Sequence, residues 1–566
     1  MTGLIFFSKP RLFLTIVFLF VLGLAIYSNV LGGEFLQDDY RYIIKNPAVT
    51  QDHGLVGIWN SFNTRFWVGV TFALDYKNYQ LHVFGYHWFS IIVHFFNSVL
   101  VYIFSCQILL LVHKAGDYTK ISFLTAVLFL CHPVQTQAVS YIAQRATLMV
   151  TGFYLLTHIL YIKGRTENKP GWLWLAMFTL VMGLLTKENA ITIGVSLVML
   201  EVYFLNQYKA QKIHSTRWLV SSLLLTALFP AVFSLNQSNA AVKFKHLMGV
   251  HLFEWKVLLT ELNVLITYLR LFFWPVGLRS DYYYPVTQNI LELRTIGSIL
   301  LIIALLIAMV RFFKNYRLVS FCILWFFLTK SVEFAGVTFG LRNLIYENWL
   351  YLSMVGLCLL SAAGITAVLK TQWLYKLAVL MLVTVLSVTA HARNEVWVTE
   401  LGHYQDLVLK EPGYPSAYLG LSDAYWRKGQ IDPAIFYLKK AVALKPDFSN
   451  GHNNLGILYS QKGMNQKALY HFKKVVEIDP DFYGTYQNLG YLAFINGDYD
   501  EAIRNYQRYL EYRPDTADCY YYIGMSYFRS KNKSEARKNL IKAQELYRKL
   551  NQALQVELLD EKLRML

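Results

Sequence analysis

Long apolar runs alternate with short polar loops from the N-terminus to about residue 395. A helix needs about 20 apolar residues to cross the hydrocarbon core of a bilayer. Eleven runs approach or reach that length, at 12–32, 87–112, 121–138, 147–162, 172–186, 190–205, 218–235, 296–312, 318–330, 348–369 and 373–392. The pattern predicts an all-α bundle of about eleven membrane spans. The first run is expected to be retained, because it is longer than a signal-peptide core and no clear small-x-small cleavage site follows it.

Basic residues recur in every second loop between these runs. They are Lys9, Arg11, Lys114, Lys120, Lys163, Arg165, Lys169, Lys209, Lys212, Arg217, Arg311, Lys314, Arg317, Lys370 and Lys376. Because Lys and Arg accumulate in cytoplasmic loops, these loops are expected inside, and the other loops and the C-terminus outside. Two expected outer loops are long, 33–86 and 236–295. In the second, NVLITYLRLFFWPVGL (263–278) predicts an interfacial helix, with a further pair of spans or a re-entrant segment as the alternatives.

A 34-residue repeat begins after about residue 413, where the composition becomes polar. Its small and turn-forming positions recur at Ala434, Ala468, Ala502 and Ala536, at Gly456, Gly490 and Gly524, at Gly429, Gly463 and Gly497, and at Pro446, Pro480 and Pro514. This period and pattern are typical of tetratricopeptide repeats, in which paired helices stack into a solenoid. Four repeats and a capping helix are therefore predicted.

Composition supports a membrane protein. The chain is 55% hydrophobic and only 16% charged, whereas soluble domains carry about a quarter charged residues. The formal charge of +17 does not indicate nucleic-acid binding, because the basic residues before residue 400 are distributed among short loops. The five cysteines show no metal-ligand spacing, and four of them lie in apolar runs.

Two adjacent carboxylates, Asp38 and Asp39, follow the first apolar run within EFLQDDYRYIIKNP (34–47). Most acidic pairs in loops are simply solvated. Here the pair lies close to a predicted membrane surface among aromatic residues, where partial burial and the neighbouring like charge would raise one carboxyl pKa and favour a general base. Alternatively the two carboxylates could share a divalent cation such as Mg²⁺ or Mn²⁺.

Three further polar stretches lie on the same expected outer side: HPVQTQAVSYIAQRATL (132–148), LLTKENAIT (184–192) and GLRNLIYENWLYLSMVGL (340–357). Ionisable residues at span ends often only reach towards lipid headgroups. Four polar clusters on one face instead favour a site. The candidate ligands of a donor phosphate are Arg145, Lys187 and Arg342. The candidates for binding a sugar or an acceptor are His132, Gln137, Gln144, Glu188, Glu347 and Tyr351.

The ordered combination of these motifs resembles the transmembrane and tetratricopeptide-repeat O-mannosyltransferases and their bacterial relatives in the GT-C superfamily, over essentially the whole chain. The resemblance implies inverting transfer of a sugar from a polyprenyl phosphate to a hydroxyl, outside the cytoplasm. It matches Asp38 and Asp39 to the family's acidic motif, Arg145 to its arginine, Lys187 with Glu188 to its KE turn and Glu347 to its late acidic residue. The chain departs from the family at HPVQTQAV in place of HPxHTEAV, YLSMVG in place of YLPxxG and QRAT in place of a GRAD-like form.

The domains expected from these signals are a GT-C-like membrane domain at 1–395, a linker at 396–415 and the repeats at 416–566. The hypothesis is transfer of a hexose, with mannose implied by the resemblance, to a Ser or Thr of an exported protein that the repeats recruit. Asp38 is favoured as the base. The location expected is a bacterial inner membrane with a periplasmic site, or the endoplasmic reticulum in a eukaryote. The rivals are a GT-C transferase with a glycan or lipid acceptor, a non-enzymatic repeat scaffold and a transporter of lipid-linked sugars.

Overall fold

The computed structural model of the protein describes residues 9–51, 53–112, 118–206, 212–235, 254–338, 344–550 and 552–564. The chain divides into two compact units, Met1–Asp406 and Leu407–Leu566. The described part of both units is helical, and no β-strand occurs within it. The predicted all-α fold class is confirmed.

The helices from the first unit to its boundary include some that overlap the predicted apolar runs and others that lie in the long loops. In chain order they are α1 Lys9–Tyr27, α2 Pro47–Thr50, α3 Gly54–Phe62, α4 Phe66–Tyr79, α5 Val83–Val112, α6 Tyr118–Cys131, α7 Thr136–Ser140, α8 Arg145–Glu167, α9 Pro170–Leu184, α10 Ile193–Leu200, α11 Lys212–Leu235, α12 Trp255–Phe273, α13 Leu293–Phe312, α14 Arg317–Thr338, α15 Met354–Val368, α16 Gln372–Asn394 and α17 Glu400–Lys410. Each of the eleven runs overlaps one or more of these helices.

Length and composition separate the candidate spans from the other helices. Among the described residues, seven helices are long and apolar enough to cross a bilayer, and the bent pair α6 and α7 forms an eighth candidate. The residues 170–184, 216–229 and 354–368 form three shorter apolar helices. The long helix α12, in the second expected outer loop, is not among these candidates. Of that loop, residues 236–253 lie outside the described residues.

Burial distinguishes central helices from peripheral ones. The apolar stretch of α8 is 72% buried, whereas those of α13 and α16 are each 17% buried and expose large side chains such as Leu300, Ile307, Leu380 and Val385. Continuous apolar faces of this kind are stable in contact with lipid chains, and helices satisfy their backbone hydrogen bonds internally, as a bilayer requires. The protein is therefore an integral membrane protein.

Polar contacts tie the central helices together. The Arg165 guanidinium pairs with Glu201 at 2.5 Å, and the Tyr161 hydroxyl donates to the same carboxylate at 2.8 Å. The Asn97 amide donates to the Leu148 carbonyl at 2.9 Å and so joins α5 to α8. Burying these groups in pairs avoids the cost of an unmatched polar group in an apolar interior.

The second unit consists of four helix pairs and a final helix: α18 Pro415–Arg427, α19 Ile431–Leu444, α20 Ser449–Gln461, α21 Asn465–Ile478, α22 Gly484–Ile495, α23 Tyr499–Tyr512, α24 Ala517–Arg529, α25 Lys533–Lys549 and α26 Ala553–Arg564. The repeated alanines, at 434, 468, 502 and 536, are fully buried between paired helices. The turns within the first three pairs contain Gly429, Gly463 and Gly497 with φ between 70° and 84°, a region that glycine adopts without steric cost. The predicted repeats are confirmed.

The repeated glycine in the first helix of the second, third and fourth pairs allows the second helix to approach closely. A Cβ added at Gly456 would lie 2.5 Å from the Phe472 ring, so we expect Gly456→Ala to destabilise the repeat unit by about 1–3 kcal/mol through overpacking. Gly484→Ala is the control, because the nearest atom to its added Cβ, on Phe482, is 4.0 Å away. Pulse proteolysis of the full-length chain in urea measures the difference. Equal stabilities of the two variants would contradict the packing account.

Candidate functional site

The loop after α1 presents its two aspartates differently. The Asp39 side chain is 1% exposed, and one of its carboxylate oxygens accepts the backbone N–H of Leu36 at 2.8 Å. Asp38 is exposed, and its backbone N–H donates to the Tyr141 hydroxyl at 3.0 Å. The tyrosine precedes α8, so the loop is fixed to the bundle while the Asp38 carboxylate remains accessible.

Burial changes the chemistry of Asp39. Desolvation raises the pKa of its carboxyl to about 8, with the neighbouring Asp38 charge adding to the effect. The backbone N–H groups of Leu36 and Ala143 and the Arg145 guanidinium oppose the rise without cancelling it. The protonated form of Asp39 is therefore favoured at neutral pH, and of the two aspartates only Asp38 is exposed.

Arg145, the predicted phosphate ligand at the start of α8, lies fully inside the protein. Its guanidinium pairs with Asp75 at 2.6 Å and donates to the Tyr86 carbonyl at 3.0 Å. The Phe72 and Phe89 rings cover it at 4.6 and 4.4 Å. The side chain joins α4, in the first long loop, to α5 and α8, and these contacts describe a structural role.

Lys187, the second predicted phosphate ligand, lies in the turn between α9 and the next helical turn. Its ammonium donates to the Thr147 hydroxyl at 2.8 Å. The Asn348 amide reaches the same hydroxyl at 3.4 Å and donates to the Gln144 side chain at 2.6 Å. The residues Lys187, Gln144 and Asn348, from three separate polar stretches, therefore meet around Thr147.

The side chains of His132 and Gln137 bind backbone groups. Gln137 accepts the N–H of Asn348 and donates to the Ser280 carbonyl, both at 2.8 Å. His132 stacks on Phe272 with ring centroids 5.3 Å apart, and its Nε2 donates to the carbonyl of that residue at 2.9 Å. These contacts hold the second long loop and α12 against the bundle.

Glu347 and Tyr351 are both buried. One Glu347 oxygen accepts the backbone N–H of Arg279 at 2.6 Å and the Tyr282 hydroxyl at 2.7 Å. The Tyr351 hydroxyl lies inside the bundle, 2.6 Å from His94 Nδ1 and 3.1 Å from the Asn97 amide. Glu347 thus organises the second long loop, and Tyr351 packs against α5 and, through Phe129, against α6.

Arg65 and Glu188 form an accessible ion pair that lies within electrostatic reach of Asp38. The two charged groups are 3.2 Å apart, with side chains 37% and 50% exposed. The neighbouring Trp67 donates its backbone N–H to the Leu185 carbonyl at 3.2 Å, which fixes this part of the first loop against the Lys187 turn. Asp38, Arg65 and Glu188 therefore form one exposed group of charges, with Lys187 adjoining it.

Of the predicted phosphate ligands, Arg342 lies outside the described residues. Within the described ranges, no group of three or more His, Cys, Asp or Glu side chains could hold a metal ion. The site assignments made from the sequence stay predictions.

Sequence reasoning missed Asp75, Arg65 and Asn348. Asp75 and Arg65 lie in the first long loop, where the amphipathic pattern of helix α3 could have signalled structure packed on the bundle. No motif marked their charges as partners of Arg145 and Asp38. Asn348 directly follows Glu347, and only Glu347 was predicted to belong to the site.

Family models identify the repeats of the second unit. Family models described as tetratricopeptide repeats match residues 415–448, 449–482, 471–504 and 518–549, and one described as a TPR repeat matches 490–531. Among solved structures, the crystal structure of MamA protein covers 27% of this chain and 83% of its own, at 24% identity and a TM-score of 0.25.

Similarity to curated proteins extends over most of the chain. Protein O-mannosyl-transferase F38B6.6 of Caenorhabditis elegans is 27% identical over 419 residues, which are 69% of this chain and 56% of that protein. Protein O-mannosyl-transferase Tmtc3 of Drosophila melanogaster is 23% identical over 451 residues, 66% of this chain and 48% of that protein. The chain thus spans about half the length of the curated relatives it matches. It is a relative of the protein O-mannosyl-transferases that contains tetratricopeptide repeats.

Proposed function

We propose that the protein transfers a mannosyl group from a polyprenyl-phosphate donor to a Ser or Thr hydroxyl of a polypeptide, with inversion at the anomeric carbon. The observation that carries the proposal is the exposed Asp38 within electrostatic reach of Arg65, which pairs with Glu188, at the end of an apolar bundle suited to a lipid-linked donor. The names of the curated relatives support the sugar and the acceptor class.

In this mechanism Asp38 accepts the proton of the acceptor hydroxyl as its oxygen attacks the anomeric carbon. The bond from that carbon to the phosphate oxygen breaks, and its electron pair leaves with the polyprenyl phosphate. Arg65 binds that phosphate and stabilises the charge that develops on it. Lys187 assists, since an ammonium has three donors and Thr147 takes one of them. Attack on the face opposite the phosphate inverts the configuration.

The basic residues at the other end of the bundle support a membrane orientation. Lys163 near the end of α8, Lys169 just before α9, Arg311 at the end of α13 and Lys314 after it favour a cytosolic location for that end. The proposed site is then non-cytosolic, in the periplasm if the source is bacterial. The repeats would bind the acceptor polypeptide and raise its local concentration.

Replacing the base is the most direct test of the reaction. Asp38→Asn should lower kcat about 10²- to 10⁴-fold, the usual contribution of a general base. The assay follows labelled mannose passing from polyprenyl phosphate to a Ser/Thr peptide in nanodiscs. The thermal unfolding temperature should be unchanged, because Asp38 is exposed. Full transfer by this variant would rule out the proposed base, and a wild-type protein inactive with every donor would favour a scaffold.

Replacing Arg65 or Arg145 by glutamine should have different effects on donor binding and on stability. Arg65→Gln should raise the donor KM about tenfold or more with little loss of stability, because an exposed ion pair contributes at most about 1 kcal/mol. Arg145→Gln leaves Asp75 buried without its charge partner and should cost about 3–5 kcal/mol of unfolding free energy. Donor titrations and thermal unfolding in detergent distinguish them. A stable Arg145→Gln protein with a raised donor KM would reverse the two roles.

The pH dependence of stability should report on Asp39. Between the ordinary aspartate pKa of 3.8 and the raised value of about 8, the folded protein retains a proton that the unfolded chain has released. Stability therefore falls as the pH rises across this interval and stops falling above about pH 8. Thermal unfolding from pH 5 to 9 should show a smaller decline in Asp39→Asn than in the wild type or Asp38→Asn. Equal declines in all three proteins would be inconsistent with a protonated Asp39.

A further inference from the structure

The chain returns to the aspartate loop immediately after the last apolar helix. The backbone N–H of Glu34 donates to the Val398 carbonyl at 2.7 Å, and the N–H of Glu400 donates to the Glu34 carboxylate at 3.1 Å. These bonds join residues more than 360 positions apart. The segment between α16 and α17 thus lies against the residues that lead into Asp38.

Gln37, which directly precedes Asp38, has an unusual backbone conformation that this segment supports. Its φ is +38°, in the left-handed region that side chains other than glycine seldom adopt. Its side-chain amide donates to Nε2 of His403, in α17, at 2.7 Å. An amide nitrogen can only donate, so the ring nitrogen accepts and the histidine is neutral. The bond opposes relaxation of the turn that orients the next two residues.

His403 is held in this neutral form by its surroundings. It is 2% exposed, and burial together with the Arg393 guanidinium lowers its pKa to about 3, although Asp406 opposes the effect. Arg393 pairs with Asp406 at 2.9 Å and so fixes the first turns of α17 to the end of α16. The imidazole therefore has a fixed place as well as a fixed protonation state.

A second route connects the same segment to Asp38. Trp397 contacts the His403 ring, with centroids 5.0 Å apart, and stacks on Tyr141 at 5.6 Å with an interplanar angle of 13°. The Tyr141 hydroxyl accepts the backbone N–H of Asp38. His403 contacts the Gln37 side chain, and Trp397 contacts the Asp38 backbone through Tyr141. Residues 397–403 therefore hold the aspartate loop at two points.

We infer that His403 and Trp397 are positioning residues, which hold the backbone of Gln37 and Asp38 so that the Asp38 carboxylate faces the reacting hydroxyl. The catalytic part of this inference rests on the proposed function, whereas the mechanical part does not. Neither residue touches substrate in this account. The segment that precedes the repeats in the chain thus also completes the aspartate loop.

Hydrogen exchange measured by mass spectrometry on the full-length protein tests the mechanical part without any activity. The backbone N–H groups of Asp39 and Tyr40 bond the Leu36 and Gln37 carbonyls at 2.8 and 3.2 Å, so they report on the turn. His403→Leu should speed exchange in peptides covering residues 34–40 about tenfold or more, while His403→Gln, which retains a hydrogen-bonding amide, should restore much of the protection. The control is His82→Leu, the same change at an exposed histidine in the same long loop.

Steady-state kinetics tests the catalytic part. His403→Leu and Gln37→Met should each lower kcat about 10- to 100-fold with little change in the donor and acceptor KM, because misplacing a reacting group slows the chemical step. Methionine at position 37 keeps a side chain of similar length and the strained positive φ, but it cannot donate a hydrogen bond to His403. Since the two residues act through one contact, the double variant should lose little more than either single variant.

The outcomes separate the inference from the proposed function. Exchange at residues 34–40 that is no faster in His403→Leu than in His82→Leu overturns the inference, and so do fully multiplicative losses of kcat in the double variant. A wild-type protein that transfers no mannose overturns the proposed function, and the exchange measurement then still decides whether this segment holds the aspartate loop.

Discussion

The buried ion pair between Arg145 and Asp75 is the contact on which the candidate site depends. It joins the membrane helix α8 to α4, which belongs to the first long loop, and aromatic rings shield it from water. Removing either partner would leave an uncompensated charge in an apolar environment, a much larger cost than losing an exposed pair. With α4 fixed in this way, Arg65 at its start pairs with Glu188 and lies within electrostatic reach of Asp38.

The polar residues at this end of the bundle form two groups, one buried and one exposed. Arg145, Gln137, His132 and Glu347 are buried, and their contacts hold the loops at one end of the bundle together. Asp38, Arg65 and Glu188 retain accessible charge within that frame. Catalytic groups held by buried, satisfied neighbours keep their geometry when substrate binds. In the proposed mechanism the exposed charges carry out the chemistry, and the buried residues fix the positions of those charges.

The sequence predicted the architecture better than the roles of single residues. Apolar runs and a 34-residue period report directly on helices that must be buried or stacked, so the membrane helices and the repeats were predictable. The acidic pair was also recognisable, and Asp38 was favoured as the base. The burial of Asp39 was not predictable, because it depends on contacts with Leu36 and residues near Ala143. The assignment of Arg145 to phosphate stays a prediction, and its ion pair with Asp75, 70 positions earlier, was not predictable because Asp75 carries no motif.

The central claim is that a lipid-linked sugar phosphate binds between Arg65 and Lys187 with its anomeric carbon facing Asp38. Electron cryomicroscopy of the full-length protein in nanodiscs, with a non-hydrolysable polyprenyl-phosphate mannose analogue, measures this directly. The account predicts density for the phosphate within hydrogen-bond distance of the Arg65 guanidinium, with the Arg145–Asp75 pair intact. A phosphate bound to Arg145 with Asp75 displaced, or bound remote from Asp38, would contradict it.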